Sequence, residues 1–142
     1  MAENDQLAKT VIKKLMQDDL FSQWLQIKVI GVKEGYSKIR IELREEMING
    51  FNVIHGGIIF ALADSAFAFA CNSRNNLSMA VDCSISFNKA SKPSDTLAAE
   101  AREIHNGKNT GLYLITITNQ NNEHVALFKG TCFRTGKNVI DI

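Results

Sequence analysis

Asp64 is the residue of this sequence whose surroundings most need a chemical explanation. It lies within residues 58–71, where only Asp64 and Ser65 are not hydrophobic. A helix of this composition is apolar on every side and is predicted to be buried. An ionised carboxylate in such a place is costly unless a partner pairs with it or its pKa rises. Since chains keep such groups mainly where a reaction uses them, we interpret Asp64 as a general base or a nucleophile.

The start of the same predicted helix carries a second set of useful groups, His55-Gly56-Gly57. A helix N-terminus has unpaired N–H groups and about half a positive charge, so it can hold a developing oxyanion. Glycine leaves this end open, so a carbonyl oxygen can approach the amide directly. The Gly56 amide and Asp64 together predict acyl transfer. A structural interpretation also exists: glycine pairs begin many helices, histidine often caps one, and Asn49 before glycine commonly forms a turn.

The spacing of these groups sets a geometric condition. Gly56 and Asp64 are eight residues apart in the sequence. Along one helix they are therefore separated by roughly 12 Å and cannot both reach one carbonyl group. If two copies of the chain pack their helices antiparallel about a twofold axis, the Gly56 end of one lies beside Asp64 of the other. The sequence thus predicts a homodimer with two composite active sites.

The rest of the chain predicts one further helix and six strands around this site. Leu7, Val11 and Leu15 recur at helical spacing, which indicates an N-terminal amphipathic helix within residues 1–20. Alternating or β-branched runs predict strands over 25–32, 36–43, 80–87, 96–104, 112–118 and 124–133. Tight turns such as Asn106-Gly107 imply antiparallel pairing. We therefore expect an α+β fold in which a curved antiparallel β-sheet wraps one side of the long helix and a second copy covers the other.

Length and composition restrict the classes of function. The 142 residues are 45% hydrophobic and 22% charged, which fits one globular domain at residues 21–136 followed by a C-terminal tail at 137–142. A net charge of +1 leaves no excess to hold a polyanion, so nucleic acid is not an expected partner. Polar residues interrupt the long apolar segment around Asp64, and a membrane span is not expected either.

The cysteines and histidines give no indication of a metal site. Cys71, Cys83 and Cys132 are widely separated and have no C-x-x-C spacing, as is usual for small core residues in a reducing cytoplasm. The histidines, at positions 55, 105 and 124, lack ligand spacing. The first twenty residues do not have the pattern of a secretory signal. We therefore expect a cytoplasmic protein without a metal.

Several segments of the sequence resemble a known family. They are Met47-Ile48-Asn49-Gly50, the stretch from His55 to Ser73, Pro93-Ser94-Asp95-Thr96-Leu97, Gly107 to Tyr113, and Val125 to Thr131. Over roughly residues 20–135 the chain closely resembles the hotdog-fold acyl-CoA thioesterases of the phenylacetic acid degradation (PaaI) type. Ser94 departs from the pattern, since relatives often have glycine in this turn.

The resemblance implies a hydrolase of acyl-CoA, with coenzyme A as part of the substrate and no separate cofactor. In such enzymes the aspartate matching Asp64 is the base or nucleophile, and the amide matching Gly56 polarises the thioester carbonyl. Asn49 and His55 match residues that position the thioester or the attacking water from the opposite subunit. Relatives are dimers and commonly dimers of dimers, so a homotetramer is also implied.

The resemblance further implies a path for coenzyme A across the protein. The residues on this path are Gly57, Ala80, Lys89, Lys92, Gly107, Lys108, Asn109 and Thr110. The lysines could meet the phosphates, although lysines in turns are as often simply solvated. For the acyl group we expect an aryl-acetyl, aromatic or medium-chain structure, because four phenylalanines, Phe51, Phe60, Phe67 and Phe69, could line an apolar tunnel.

Two other functions fit the same residues. One is a non-catalytic acyl-CoA-binding regulatory hotdog protein, which would usually need an effector domain beside the short helix. The other is a hotdog enoyl-CoA hydratase or dehydratase, in which Asp64 and a facing His55 would form an acid–base pair. The glycine pair with Asn49 fits attack on a thioester better, so hydrolysis is the leading hypothesis.

Overall fold

The computed structural model describes residues 2–142 and, over that range, consists of three α-helices, one short 3-10 turn and six strands. The helices are α1 (Glu3–Asp18), α2 (Leu20–Trp24) and α3 (Gly56–Asn72). The strands are β1 (Lys28–Lys33), β2 (Tyr36–Glu42), β3 (Ser78–Phe87), β4 (Thr96–Asn106), β5 (Thr110–Thr118) and β6 (His124–Arg134). The 3-10 turn, Glu45–Met47, begins the loop that leads into α3.

The six strands form one antiparallel sheet in the order β1-β2-β4-β5-β6-β3. The chain leaves the sheet after β2, passes through α3 and returns as β3 at the far edge beside β6. The neighbour of β2 in the sheet is therefore β4 and not β3. The long helix α3 lies across one face of the sheet and contacts β2, β3, β4, β5 and β6. This arrangement confirms the predicted hotdog fold, a curved antiparallel sheet wrapped around one central helix.

Close packing against the sheet explains why α3 is so apolar. Leu62, Ala63 and Ala66 have no exposed surface. Phe67 packs directly on the backbone of Gly130, where an added Cβ atom would lie 2.9 Å from the phenyl ring. Opposite the helix, the sheet presents the buried side chains Ile39, Ile41, Leu97, Ala99, Ile115, Ile117 and Phe128. Burial of each large aliphatic or aromatic side chain contributes about 1.5–3 kcal/mol to folding, so this layer holds α3 in place.

The region before β1 differs from its prediction. The sequence predicts a strand over 25–32, whereas the structure continues as α2 to Trp24 and begins β1 at Lys28. Asp19 caps α2 by accepting a hydrogen bond from the Ser22 N–H, and Gln26 adopts a left-handed φ of 58°. A capped helical turn followed by a left-handed residue cannot continue a strand, so β1 starts later than its alternating pattern indicates.

The hairpin between β4 and β5 is confirmed, but its turn is not centred on Asn106-Gly107. Asn106 pairs with Gly111 in the ladder. The Gly107 N–H then donates to the carbonyl oxygen of Thr110 at 2.8 Å. The two residues at the tip are therefore Lys108 and Asn109.

One stripe of α3 is covered least by the sheet. Gly57, Ala61, Asp64, Ser65 and Ala68 recur at helical spacing and are half-buried or exposed. Helices α1 and α2 lie over part of this side, where Ser65 bonds to a residue of α2. The one charged residue of α3, Asp64, therefore lies on the face that the sheet leaves open.

A buried polar network fixes the opposite, C-terminal end of α3. Arg134 of β6 is only 5% exposed. Its guanidinium donates to the carbonyl oxygen of Cys71 at 3.0 Å and to the Tyr113 hydroxyl at 2.8 Å. Tyr113 donates to the Glu103 carboxylate at 2.7 Å, and Glu103 also accepts from Arg74 at 2.7 Å. The network connects the last turn of α3 to β4, β5 and β6.

Candidate active site

His55 caps the N-terminus of α3, and this contact selects the tautomer of its ring. Its backbone is extended, with φ −60° and ψ 133°, and its Nδ1 accepts a hydrogen bond from the Gly57 N–H at 2.8 Å. A nitrogen that accepts cannot carry the proton, so the neutral ring is protonated at Nε2. His55 is an exposed residue, and its Nε2–H is a donor without a partner among residues 2–142.

Gly57 makes this cap possible. An added Cβ atom at Gly57 would lie 2.9 Å from Nδ1 of His55, so any side chain there would displace the imidazole. The Gly57 N–H is already used by the histidine, although the sequence places Gly57 on the coenzyme A path. In the structure its role is to hold His55.

Gly56 is the first residue of α3, and its N–H is free to bind a ligand. None of the hydrogen bonds among residues 2–142 uses this N–H. Gly56 lines a cavity of about 340 Å³. An added Cβ atom would lie 3.2 Å from the ring of Phe87, so glycine also keeps the approach to the amide open. This arrangement can hold the oxygen of a carbonyl that becomes an oxyanion.

Asn49 lies in the loop that leads into α3. This loop closes on itself through the pairing of Ile48 with Ile54 and a 2.9 Å hydrogen bond from the His55 N–H to the Met47 carbonyl. The side-chain oxygen of Asn49 accepts from the Phe51 N–H at 2.8 Å, which is the turn-forming role that its sequence context also allows. Its side-chain NH₂ group has no hydrogen bond within the described part of the chain and remains available as a donor.

Asp64 is half-buried, and its carboxylate makes no hydrogen bond with any residue from 2 to 142. Burial raises its pKa, and the negative charge of Asp19 raises it further. Eight residues of α3 separate Asp64 from Gly56, so one protomer holds the carboxylate and the free amide roughly 12 Å apart. A single copy of the chain therefore does not bring the two groups together.

The residues expected to bind coenzyme A fall into two groups. Lys89 and Lys92 follow β3, and Lys89 lines the Gly56 cavity and forms an ion pair with Glu123 at 3.5 Å. The second group is at the opposite end of the sheet, where Ala80 pairs with Cys132, and Gly107, Lys108, Asn109 and Thr110 form the adjacent hairpin. Ala80 is seven residues from Phe87, a span of roughly 23 Å along a strand.

Ser91 is a polar residue beside the first group that the sequence analysis did not identify. Ser91 is 3% exposed, and its hydroxyl oxygen has no hydrogen-bond partner among residues 2–142. It lines both the Gly56 cavity and a neighbouring cavity of about 400 Å³ that also contains Lys92. A buried hydroxyl without a partner is costly, and nothing in the local sequence distinguishes it from an ordinary turn serine.

The sequence analysis also did not identify Ser65, Ser22 and Asp19, which form a hydrogen-bonded chain near Asp64. Ser65 contacts Ser22 of α2, with 2.9 Å between their hydroxyl oxygens. Ser22 in turn donates to Asp19. The available signal was Asp19, which stands at a helix-capping position before residues 20–24, but no element was predicted between the N-terminal helix and the strand over 25–32.

The four phenylalanines expected to line a tunnel do not come together in one protomer. Phe67 and Phe69 are each 1% exposed and belong to the core. Phe60 packs edge-on against Phe128 with 5.1 Å between ring centroids. Phe51, in contrast, is 87% exposed. The expectation is wrong for Phe67 and Phe69, because the helix directs them into the sheet.

Two kinds of feature are absent from residues 2–142. No cluster of three or more His, Cys, Asp or Glu side chains there could hold a metal ion. Likewise, none of the helices in residues 2–142 has the length and apolar character needed to cross a membrane.

Comparison with known proteins gives a consistent result. The sequence model of the thioesterase superfamily matches residues 51–126. The acyl-coenzyme A thioesterase PaaI of Escherichia coli is 40% identical over 122 residues, which is 86% of this chain and 87% of that protein. The solved structure of the E. coli PaaI protein from the phenylacetic acid degradation operon matches with a TM-score of 0.93 at 37% identity, covering 94% of this chain and 97% of that one.

Another solved structure that matches this chain contains a bound ligand. It is a Streptococcus mutans protein bound to acetyl CoA, which matches with a TM-score of 0.77 at 29% identity. The match covers 79% of this chain and 90% of that one. The fold that surrounds the Gly56 cavity is thus similar to one that holds an acyl-CoA in another organism.

Proposed function

This chain belongs to the thioesterase superfamily and is a thioester hydrolase, and we propose that it hydrolyses acyl-CoA to a free acid and coenzyme A. The observation that carries the proposal is the free Gly56 N–H, held at a capped helix end and open to a cavity. The name of the E. coli relative and the acetyl CoA bound to the S. mutans protein support the choice of acyl-CoA among thioesters.

The proposed reaction uses two protomers. The thioester carbonyl oxygen accepts a hydrogen bond from the Gly56 N–H at the positive end of α3. The partner's Asp64 removes a proton from a water molecule, whose oxygen bonds to the carbonyl carbon. The carbon–sulfur bond then breaks, and the proton passes to the sulfur of coenzyme A. If the carboxylate itself attacks, an anhydride forms first and water cleaves it, with the same products.

His55 and Asn49 supply the remaining donors in this proposal. The Nε2–H of His55 and the side-chain NH₂ of Asn49 are both free of partners among the described residues. Either can orient the thioester oxygen or the attacking water beside the Gly56 amide. Histidine here donates a hydrogen bond and does not act as a base, because its Nδ1 is occupied by the Gly57 N–H.

We place coenzyme A across the junction of two protomers. The two groups of expected binding residues lie at opposite ends of one sheet, and an antiparallel dimer would bring one group from each copy to the same site. Lys89 and Lys92 of one copy would then meet the phosphates together with Lys108 of the other. The free hydroxyl of Ser91 offers a hydrogen bond to the pantetheine amides on the same path.

The finer details of the substrate and the assembly are part of the same proposal. We expect an aryl-acetyl, aromatic or medium-chain acyl group, a homodimer or a dimer of dimers, and a cytoplasmic location, which suits three free thiols.

No metal or cofactor takes part in the proposed step. Dialysis against a chelator should therefore leave kcat/KM unchanged.

The test is a thiol-release assay over a panel of acyl-CoAs with Asp64→Asn beside the wild type. We expect the variant to lose ~100-fold or more in kcat, because removal of a general base or nucleophile typically costs that much. The matched control is Asp18→Asn, which changes an exposed carboxylate paired with Lys14 at 3.0 Å and should leave kcat unchanged. Tight acyl-CoA binding without thiol release would favour the regulatory function, and enoyl or hydroxyacyl product without free thiol would favour the hydratase.

A melting curve separates loss of chemistry from loss of folding. Because the pKa of Asp64 is raised by burial and then by Asp19, its ionised form lowers the stability of the fold at pH above that pKa. Asp64→Asn should therefore melt at the same temperature as the wild type or higher at neutral pH. The difference should shrink as the pH falls and the wild-type carboxyl takes up its proton.

A further inference from the structure

The corner between α1 and α2 contains a chain of hydrogen bonds that ends next to Asp64. Asp19 accepts from the Ser22 N–H at 2.9 Å and also from the Ser22 hydroxyl. The Ser22 and Ser65 hydroxyl oxygens are 2.9 Å apart. Ser65 directly follows Asp64 on α3. Three side chains thus join the helix corner to the face of α3 that the sheet does not cover.

The direction of the protons in this chain follows from the number of donors. A serine hydroxyl has one proton to donate, and that of Ser22 goes to Asp19. The proton between the two serines must therefore come from Ser65. Asp19 is the terminal acceptor, and Ser22, which has no exposed surface, is satisfied on both sides.

We propose that Asp19 is a positioning residue: the hydrogen bonds through Ser22 and Ser65 hold its negative charge beside the face of α3 that carries Asp64, where it assists Asp64 in removing a proton from water. The inference rests on the proposed function, since it assumes that Asp64 performs the reaction. It assigns a catalytic purpose to α2, a helix of five residues that lies outside residues 51–126, the part matched by the superfamily.

The other groups that face Asp64 do not provide the same effect. On β3, Cys83 has a pKa that is raised by burial and then by the charges of Asp64 and Asp82, so it stays a neutral thiol. On α3 itself, Cys71 is buried and its pKa is also raised, with Cys132 as the main cause. The face of α1 against the core consists of Ala8, Val11 and Ile12, and strands β2, β4, β5 and β6 present mainly apolar side chains to α3.

Charge repulsion between two carboxylates favours the protonated form of each. Burial is the first cause of the raised pKa of Asp64, and the charge of Asp19 is the second. A carboxylate with a raised pKa removes a proton from water more effectively at neutral pH, because a catalytic base works best when its pKa is close to the working pH.

Asp19→Asn isolates the charge from the capping role. Asparagine caps a helix as well as aspartate does, so α2 should remain folded. Its amide can donate to Ser22, which can then donate to Ser65, so the chain of hydrogen bonds persists with reversed direction. The matched control is Asp18→Asn, which removes the neighbouring carboxylate from an exposed position.

The experiment measures the pH dependence of kcat/KM for the wild type and both variants, and titrates Asp64 in each by carbon-13 NMR of the carboxyl groups. We expect the acid limb and the Asp64 titration of Asp19→Asn to move to lower pH, with a smaller plateau value of kcat/KM. Asp18→Asn should follow the wild type. The shift should shrink at about 1 M salt, where the Debye length is about 3 Å.

The possible outcomes separate this inference from the function itself. An unchanged Asp64 titration in Asp19→Asn would overturn the inference, whatever the activity, and an equal shift in Asp18→Asn would do the same. If Asp64→Asn were as active as the wild type, the proposed function of Asp64 would fail instead. A shifted titration together with an unshifted kcat/KM limb would overturn the catalytic role of Asp19.

Discussion

At the N-terminus of α3, two consecutive glycines have different tasks. The Gly57 N–H is used inside the protein, because it holds Nδ1 of His55. The Gly56 N–H has no partner in the described residues and faces a cavity. Only the Gly56 N–H is available to bind a substrate carbonyl. The Gly57 N–H instead holds His55, whose Nε2–H is a further donor at the same helix end.

This division predicts different results for two substitutions at Gly56. Gly56→Pro removes the N–H but should keep the helix, because proline is favoured at the first helical position and His55 already has the extended backbone that precedes proline. We expect a loss of ~100-fold or more in kcat, as for removal of one oxyanion donor.

Gly56→Ala is the matched control, since it keeps the N–H and adds only a methyl group near the movable ring of Phe87. It should lose much less activity than Gly56→Pro in the same thiol-release assay. Similar losses in both variants would mean that space at Gly56, and not its amide, matters for the reaction.

At the level of the helix, the two ends of α3 are built in opposite ways. The N-terminus is open, whereas the C-terminus is fixed by the buried chain from Arg134 through Tyr113 to Glu103. Burial raises the pKa of Glu103, but hydrogen bonds from Arg74 and Tyr113 outweigh this effect, and the net pKa is lowered. The ionised carboxylate is therefore the form that stabilises the fold.

Glu103→Gln should lower the free energy of unfolding by about 1.5–3 kcal/mol at neutral pH, because a hydrogen-bonded charge is lost from a mostly buried network. The lowered pKa of Glu103 means that its contribution is complete above the ordinary carboxyl value of 4.5 and disappears as the pH falls below it. Denaturant unfolding of both proteins over a pH series measures this difference. If the difference in free energy of unfolding between the two proteins stayed constant down to the lowest pH, the charge of Glu103 would not be the cause of that difference.

For the whole molecule, the proposed mechanism and the separation of Asp64 from Gly56 together mean that one chain would carry halves of two sites. Each half lies on a surface that the sheet of the same chain leaves open. The residues expected to bind coenzyme A are divided in the same way, between opposite ends of the sheet. A second copy would complete both sets with a single twofold axis.

Mixed assembly tests this arrangement directly. Asp64→Asn and Gly56→Pro should each be inactive alone, yet co-expression should restore activity, because a mixed dimer contains one site with both wild-type groups. Random pairing gives about a quarter of the wild-type activity. If the mixture remains as inactive as its two components, each active site lies within a single chain.

Much of the fold was predictable from local patterns. All six strands begin within three residues of their predicted starts, as for β4 at Thr96 and β6 at His124, because the alternating residues and turn residues that define a strand are neighbours in the sequence. The start of β1 lies three residues later than predicted, because α2 and the left-handed Gln26 come directly before it. The catalytic importance of Asp64, His55, Gly56 and Asn49 stays a prediction, and the structure adds how each is held.

The sequence by itself determined the groups on which the proposed chemistry rests: one carboxylate in an apolar helix, a histidine and two glycines at its start, and a spacing that one copy cannot bridge. The tertiary structure alone decided which amide is free, where β3 lies and what surrounds Asp64. Ser22 and Ser65 are 43 residues apart in the chain, and Arg134 is 63 residues from Cys71. Contacts of this kind depend on how the sheet and helices pack, and no local pattern of residue types records them.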